Sequence, residues 1–431
     1  MSPRTWRIPV LVLAAFAAFS FFPGCSDPTE PEPEPEEVVN PDKPNANPRV
    51  LLQKTHGDAG SWSNLWELAE DHSGGYYYRG GLNGYRGVGR LNSQGEAAWH
   101  TRTTYGPRDV ITTASTAAVP NAPLVSGAHD SDGDGSDDTA YLSLFSPAGT
   151  LLSQLVYSAD TAGVWLNAIV SLTDSTFITV GGAKTATTTY PLVVVFKLAS
   201  SGELEKQRDV FLTSFPDHYF GYAVRDPAED ASAGVTLYVN SGPGVAAVHR
   251  LDVVLPDLDP VTVEWTREIV FTTAEDPSIG DLRFFDGNLY VVGDANDTTK
   301  EPPSGGGFWD SGFAASLTLA GDIRWSKVVR VTGHSENLYA VIPASGALYA
   351  VGTAGAYEQS GQRMGYGWIS KLSMGTGEVL TNLTFGSDKY QSGLNDGIAA
   401  GDVIRCGGWT RQETSAADYR AWFCAINVGG L

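Results

Sequence analysis

The sequence is poor in cysteine, in basic side chains and in long apolar runs, and each shortage removes a class of protein. Three cysteines in 431 residues are too few for a disulfide-built scaffold. Lys and Arg number 28 against 49 Asp and Glu, a net charge of −21. A chain this acidic lacks the clustered cations that a phosphate backbone demands, so nucleic acid is not expected as a partner. Beyond the N-terminal stretch, no uncharged segment approaches the length of a membrane-spanning helix. The seven histidines form no His-Glu-x-x-His pair, and there is no Gly-x-Ser-x-Gly elbow, Walker loop or Cys-x-x-Cys. Nucleotide and haem signatures are likewise missing. What the chain has in quantity is glycine, 49 residues, with 18 tyrosines and 11 tryptophans. That combination favours short strands joined by tight turns. Segments such as Phe177 to Val180 and Val193 to Leu198 are too short and too β-branched for a helical solenoid.

Residues 1–24 read as a secretion signal, with Arg4 and Arg7 before an apolar stretch from Ile8 to Phe22. Phe22-Pro23-Gly24-Cys25 then resembles a bacterial lipoprotein box. The resemblance implies that Cys25 is lipidated and becomes the new N-terminus; an ordinary signal peptide with a chance cysteine is the alternative. Residues 25–49 read as a tether: seven prolines, Pro28 to Pro48, interleave with Glu30, Glu32, Glu34, Glu36 and Glu37. Such a run cannot bury enough apolar surface to fold. Extended as polyproline II at ~3.1 Å per residue, it would lift a folded body ~70 Å from a membrane. Ser26 stands where an Asp would signal inner-membrane retention by resemblance to enterobacterial lipoproteins, so an outer-membrane address, periplasmic or cell-surface facing, is expected.

Residues 50–431 repeat. An apolar strand ending in glycine recurs as Tyr76 to Gly81, Leu124 to Gly127, Phe177 to Gly182, Leu237 to Gly242, Leu289 to Gly293, Leu348 to Gly352 and Val403 to Gly407. Six intervals cover the 326 residues from Gly81 to Gly407, a mean of about 54. That length holds four short strands with turns. A second unit is a hairpin with a glycine turn, Leu91 to Trp99 and Leu317 to Trp325, and its tryptophan should fill the space between neighbouring sheets. A third, Thr55-His56-Gly57, Thr104-Tyr105-Gly106 and Thr384-Phe385-Gly386, opens each repeat. Together these units resemble the β-propeller repeat of secreted bacterial proteins, of the SBBP or quinoprotein-like kind. The expectation is an all-β chain with a seven-bladed β-propeller, six or eight blades being the alternatives. Because the last repeat supplies only three strands, ending in Trp422 to Asn427, the strand at Val50 to His56 should complete it and close the ring.

The sharpest local signal is Asp130-Ser131-Asp132-Gly133-Asp134-Gly135-Ser136-Asp137-Asp138. Asp130, Asp132 and Asp134 have the spacing of an EF-hand loop with Gly135 at the turn, but Tyr141 stands at position 12 in place of the bidentate Glu. The run resembles the calcium loops of integrin-type propellers, which would make Asp138 the last ligand and Ca²⁺ a cofactor; a solvated acidic loop is the other reading. Cys406 and Cys424 fall on adjacent strands of the last blade, and a cross-strand disulfide or two buried thiols are both open. His56 and His334 sit in repeat-opening loops, where polar loop roles are expected. The long loops at 294–311, 353–365 and 409–419 should gather on one face and present Trp309, Tyr357, Trp409 and Tyr419 beside carboxylates. Exposed aromatics among carboxylates suit a sugar or a protein partner. The leading expectation is therefore a monomeric, non-enzymatic binding lipoprotein. The alternatives are a glycan-active or quinoprotein-like enzyme, which would need titratable groups converging on the central channel, and an outer-membrane assembly scaffold.

Overall fold

The computed structural model describes residues 49–431 except 59, 104–110, 115–119, 130–138, 159–162, 231–233, 242–244, 256–260, 301–308, 332–334, 345, 358–362, 387–389 and 413–418. The described strands form seven four-stranded antiparallel sheets. In blades 1 to 6 the strands run from inside to outside in chain order. Their inner strands are Asn64–Glu70, Ile111–Ala114, Gly163–Thr173, Phe220–Arg225, Ala274–Phe285 and Glu336–Ala344. Blade 7 begins with Tyr390–Ala400 as its inner strand. Each inner strand packs against the next, and that of blade 7 packs against that of blade 1, so the sheets circle one axis. This is a seven-bladed β-propeller.

Its fourth strand in blade 7 is Val50–His56, which pairs antiparallel with Tyr419–Asn427. Val50 faces Ile426 and Leu52 faces Ala425, the closure expected from the repeat count. Arg49 reinforces the joint by donating from Nη1 to the carbonyls of Asn427 and Gly429, at 3.3 and 3.1 Å.

The core is divided among the gaps between blades. Leu142, Leu166 and Phe196 fill the gap between blades 2 and 3; Trp368 and Val292 that between 5 and 6; Leu65, Tyr78 and Phe423 that between 7 and 1. The outer-strand tryptophans do what the hairpin unit implied. Trp99 donates its indole N–H to Pro147 O at 2.8 Å, and Trp325 donates to Met374 O at 3.0 Å, each on the hairpin turn of the following blade. The turn glycine lies under the ring in both, since a Cβ at Gly149 or Gly377 would come within 2.6 or 2.3 Å of it.

The repeated glycine departs from its expected role. It lies inside the second strand of the blade, as in Tyr76–Leu82, Thr176–Lys184, Asn288–Asp297 and Val403–Gln412. Opposite it the inner strand carries a bulge that forces Trp66, Asn167, Gly280, Tyr339 or Asn395 out of register. The bulge drives an inner-strand carbonyl onto the facing Cα. A Cβ at Gly80, Gly181, Gly293, Gly352 or Gly408 would lie only 1.8–2.3 Å from that oxygen. Only glycine fits the spot, and the bulges are what re-aim inner-strand side chains into the channel.

Candidate functional site

Each bulge is followed by a residue at one structural position: Glu67 in blade 1, Asp281 in blade 5 and Asp396 in blade 7. Asp281 accepts from Val341 N–H at 3.0 Å, Asp396 from Leu68 N–H at 2.9 Å and Glu67 from Ile111 N–H at 3.1 Å. Each carboxylate thus reaches the inner strand of the following blade. Arg283 of blade 5 donates from Nε to Asp281 at 2.9 Å and from Nη2 to Asp396 at 3.5 Å. Blade 6 separates those two carboxylates around the ring, so the guanidinium bridges them through the channel. Arg79 lies 3.5 Å from Glu67.

These groups perturb one another. Burial raises Glu67 to about 7 against the pull of Arg79, with Asp396 adding to the rise. Burial likewise lifts Asp396 to about 6, opposed by Arg283 and assisted by Asp281. Arg283 is held charged chiefly by Asp281. The Tyr222 hydroxyl of blade 4 is pushed up by burial and then by Asp281 and Glu67. Residues from blades 1, 4, 5 and 7 can sense one another only at the axis. The channel floor therefore holds three carboxylates and two guanidiniums, and it can bind or release a proton near neutral pH.

Aromatic side chains stand at the end of the channel where inner strands begin and second strands finish. Trp62 meets Trp66 with ring centroids 5.3 Å apart, and the guanidiniums of Arg79 and Arg86 lie 5.2 and 5.8 Å from the Trp66 ring. Trp165 meets Tyr219 edge-on at 5.5 Å. Trp409 meets Tyr419 at 5.3 Å. Gly81 and Gly182 make room for two of the indoles, because a Cβ there would sit 2.4 Å from Trp62 and 2.6 Å from Trp165. On the blade 5 and 6 side, burial and Asp310 raise Asp294 to about 6, and burial with Asp294 pushes Tyr339 up to about 12. The opposite end holds a cavity of about 300 Å³ bordered by His72, Thr113, Asp174 and Arg225. There Arg225 donates to the carbonyls of Ser171 and Leu172, which ties blade 4 to blade 3.

The residues singled out from sequence fall unevenly on this site. Trp409 and Tyr419 belong to the rim, half-buried against each other. Trp309 does not present a ring to solvent: it is 7% exposed and packs at the start of a blade 5 strand. Tyr357 ends a strand whose backbone is described, while its side chain lies outside the described residues. Cys25, Asp130, Asp132, Asp134, Asp138 and His334 also lie outside them. Cys406 and Cys424 face each other across two strands as free, buried thiols, not a disulfide. A hydrogen bond with Cys424, and then burial, push the Cys406 thiol up, the state of a packed thiol pair. His56 is a strand residue bonded to Gly95 O at 2.8 Å. His249, pushed down to about 4 by burial, bridges Ser241 and Thr266 in the interior.

No family model matches the chain, and no curated protein does. Similar solved structures include the polysaccharide lyase Uly1, 12% identical over 86% of this chain and 90% of that one, with a TM-score of 0.45. Sqt1 of Chaetomium thermophilum is 12% identical over 89% and 98%, with a TM-score of 0.46. The WD40 domain of SCAP from fission yeast is 8% identical over 88% and 91%, with a TM-score of 0.37. Likenesses this distant carry no functional argument, and the fold rests on the chain's own seven sheets: it is a β-propeller.

Proposed function

We propose that this chain is an envelope lipoprotein, anchored through Cys25 and raised by residues 25–49, whose propeller binds a glycan at the aromatic end of its channel. The observation that supports this reading is the gathering at one mouth of Trp62, Trp66, Trp165, Tyr219, Trp409 and Tyr419 above a floor of Glu67, Asp281 and Asp396. Aromatic faces suit the C–H faces of a sugar ring, and carboxylates and guanidiniums suit its hydroxyls. A glycan array probed with the purified protein tests it. Binding that falls at least tenfold in Trp66→Ala and Trp409→Ala supports the reading; binding indifferent to both, or none on the array, refutes it.

The floor favours a second reading, a glycan-active enzyme. A carboxyl group that holds its proton near neutral pH is suited to general acid catalysis. Release of shortened glycan by the wild type, abolished in Glu67→Gln while binding persists, would establish this reading over the first.

A further inference from the structure

The chain carries a net charge of −21, yet one arc of the channel rim is basic. Arg79 and Arg86 lie against Trp66 in blade 1, and Arg411 lies 4.9 Å over the Tyr419 ring in blade 7. The two blades are continuous here, since Ser63 N–H donates to Tyr419 O at 2.8 Å. Among these cations, Arg79 shares its charge with Glu67.

Within the arc, two donors have nothing to bond among the described residues. Gln391, Arg411 and Tyr419 stand side by side across three strands of blade 7. Gln391 is 2% exposed, and its Oε1 accepts from Arg411 Nη2. Its Nε2 and the Nε of Arg411 are both enclosed, without an acceptor among the described residues. Buried N–H groups left unmade are costly, and most such groups in folded proteins have a partner. The missing partner must be an oxygen acceptor. Arg411 biases the choice towards an anion, and a carboxylate has two oxygens to offer to two N–H groups. The Trp409 and Tyr419 rings alongside, tilted at 53° to each other, suit a pyranose better than an extended peptide.

We propose that the rim shared by blades 7 and 1 recognises the carboxylate of an acidic sugar, with Gln391 and Arg411 as its hydrogen-bond donors. This rests on the glycan-binding reading and narrows it to uronate-bearing chains. The carboxylate parts Arg411 from Tyr419 to reach the two donors, and Arg86 over Trp66 offers a second cation to the next acidic unit.

The test is titration calorimetry of the purified protein with an oligogalacturonate and with its methyl ester. The acid should bind at least tenfold more tightly than the ester. Gln391→Leu and Arg411→Met should each weaken the acid at least tenfold and leave the ester unchanged. Arg411→Lys, which keeps the charge without the Nε donor, should fall between, and a wild-type melting profile confirms that each variant is folded. Equal affinity for acid and ester, or an unaffected Gln391→Leu, overturns the proposal. A peptide with a free C-terminal carboxylate that binds more tightly than the acid, in a Gln391-dependent way, also overturns it. If neither oligomer binds but glucuronate raises the melting temperature of the wild type and not of Gln391→Leu, the carboxylate subsite stands and the polymer-binding reading of the channel fails.

Discussion

Replacing Glu67 by glutamine tests the physical account of the channel floor without any ligand. Glutamine keeps the shape and an oxygen for Ile111 N–H but cannot ionise. In the wild type the folded-state value is about 7 against an ordinary 4.5, because burial outweighs the attraction of Arg79. Between those limits the folded protein keeps a proton that the unfolded chain has released. Its contribution to stability is therefore fully present below about pH 4.5 and is lost as the pH rises through about 7. At about 1.4 kcal/mol per pH unit the whole interval amounts to about 3.5 kcal/mol. Glu67 is 21% exposed and shares its field with Asp396, so about 1–3 kcal/mol is the expected reading. Urea denaturation of both proteins at pH 5, 6, 7 and 8 measures the difference, and the other titrating groups largely cancel between them. Wild type and Glu67→Gln should be nearly equal at pH 5, and the variant should be the more stable by about 1–3 kcal/mol at pH 8. A difference that is flat across the series, or a wild type that gains on the variant with rising pH, would show that Glu67 is not held by burial. The ionised pair with Arg79 would then dominate the floor.

Two other perturbations address the fold and the acidic loop. Gly352→Ala places a Cβ 1.8 Å from Asn337 O, so the bulge must shift or the sheet lose register; a loss of more than about 2 kcal/mol is expected by denaturation. Gly375→Ala, whose Cβ meets nothing nearer than 3.9 Å, should stay within about 0.5 kcal/mol of the wild type, and equal effects would refute the assignment. For the Asp130–Asp138 run, millimolar Ca²⁺ should raise the melting temperature by a few degrees, and Asp132→Ala should abolish the rise; an unmoved wild type would end the calcium reading.

The architecture is legible in the sequence because it repeats. A strand glycine once per blade, a hairpin glycine and an interblade tryptophan each recur often enough to outweigh local ambiguity, and the strand at Val50 to His56 has no other blade to join. The strand glycine itself misleads, since a strand's end and a strand's bulge leave the same mark on a single chain; only the facing carbonyl of Asn64 or Asn337 tells them apart. The channel floor escapes notice because its members come singly from distant repeats, Glu67 from the first blade and Asp281 from the fifth. A signal does exist. Leu65-Trp66-Glu67, Ile279-Gly280-Asp281 and Leu394-Asn395-Asp396 each carry an acid just after an apolar residue and its bulged neighbour. Each acid also precedes its bulge-facing glycine, Gly80, Gly293 or Gly408, by a nearly constant interval. Repeats aligned on that glycine stack the three acids in one column. The aromatic rim is half visible, through Trp409 and Tyr419, while Trp309 misleads because burial at a strand's first residue leaves no compositional trace.

The seventh sheet also dictates an order of events. Its outermost strand, Val50–His56, is made by the ribosome almost a whole propeller ahead of Tyr419–Asn427, the segment it joins. Until that late partner arrives, the early strand lacks its sheet and the seventh sheet lacks its outermost strand. Contacts so remote in sequence form slowly, and the delay exposes strand edges to wrong neighbours. Assembly of this molecule is therefore decided at its last step, when the two ends of the body meet.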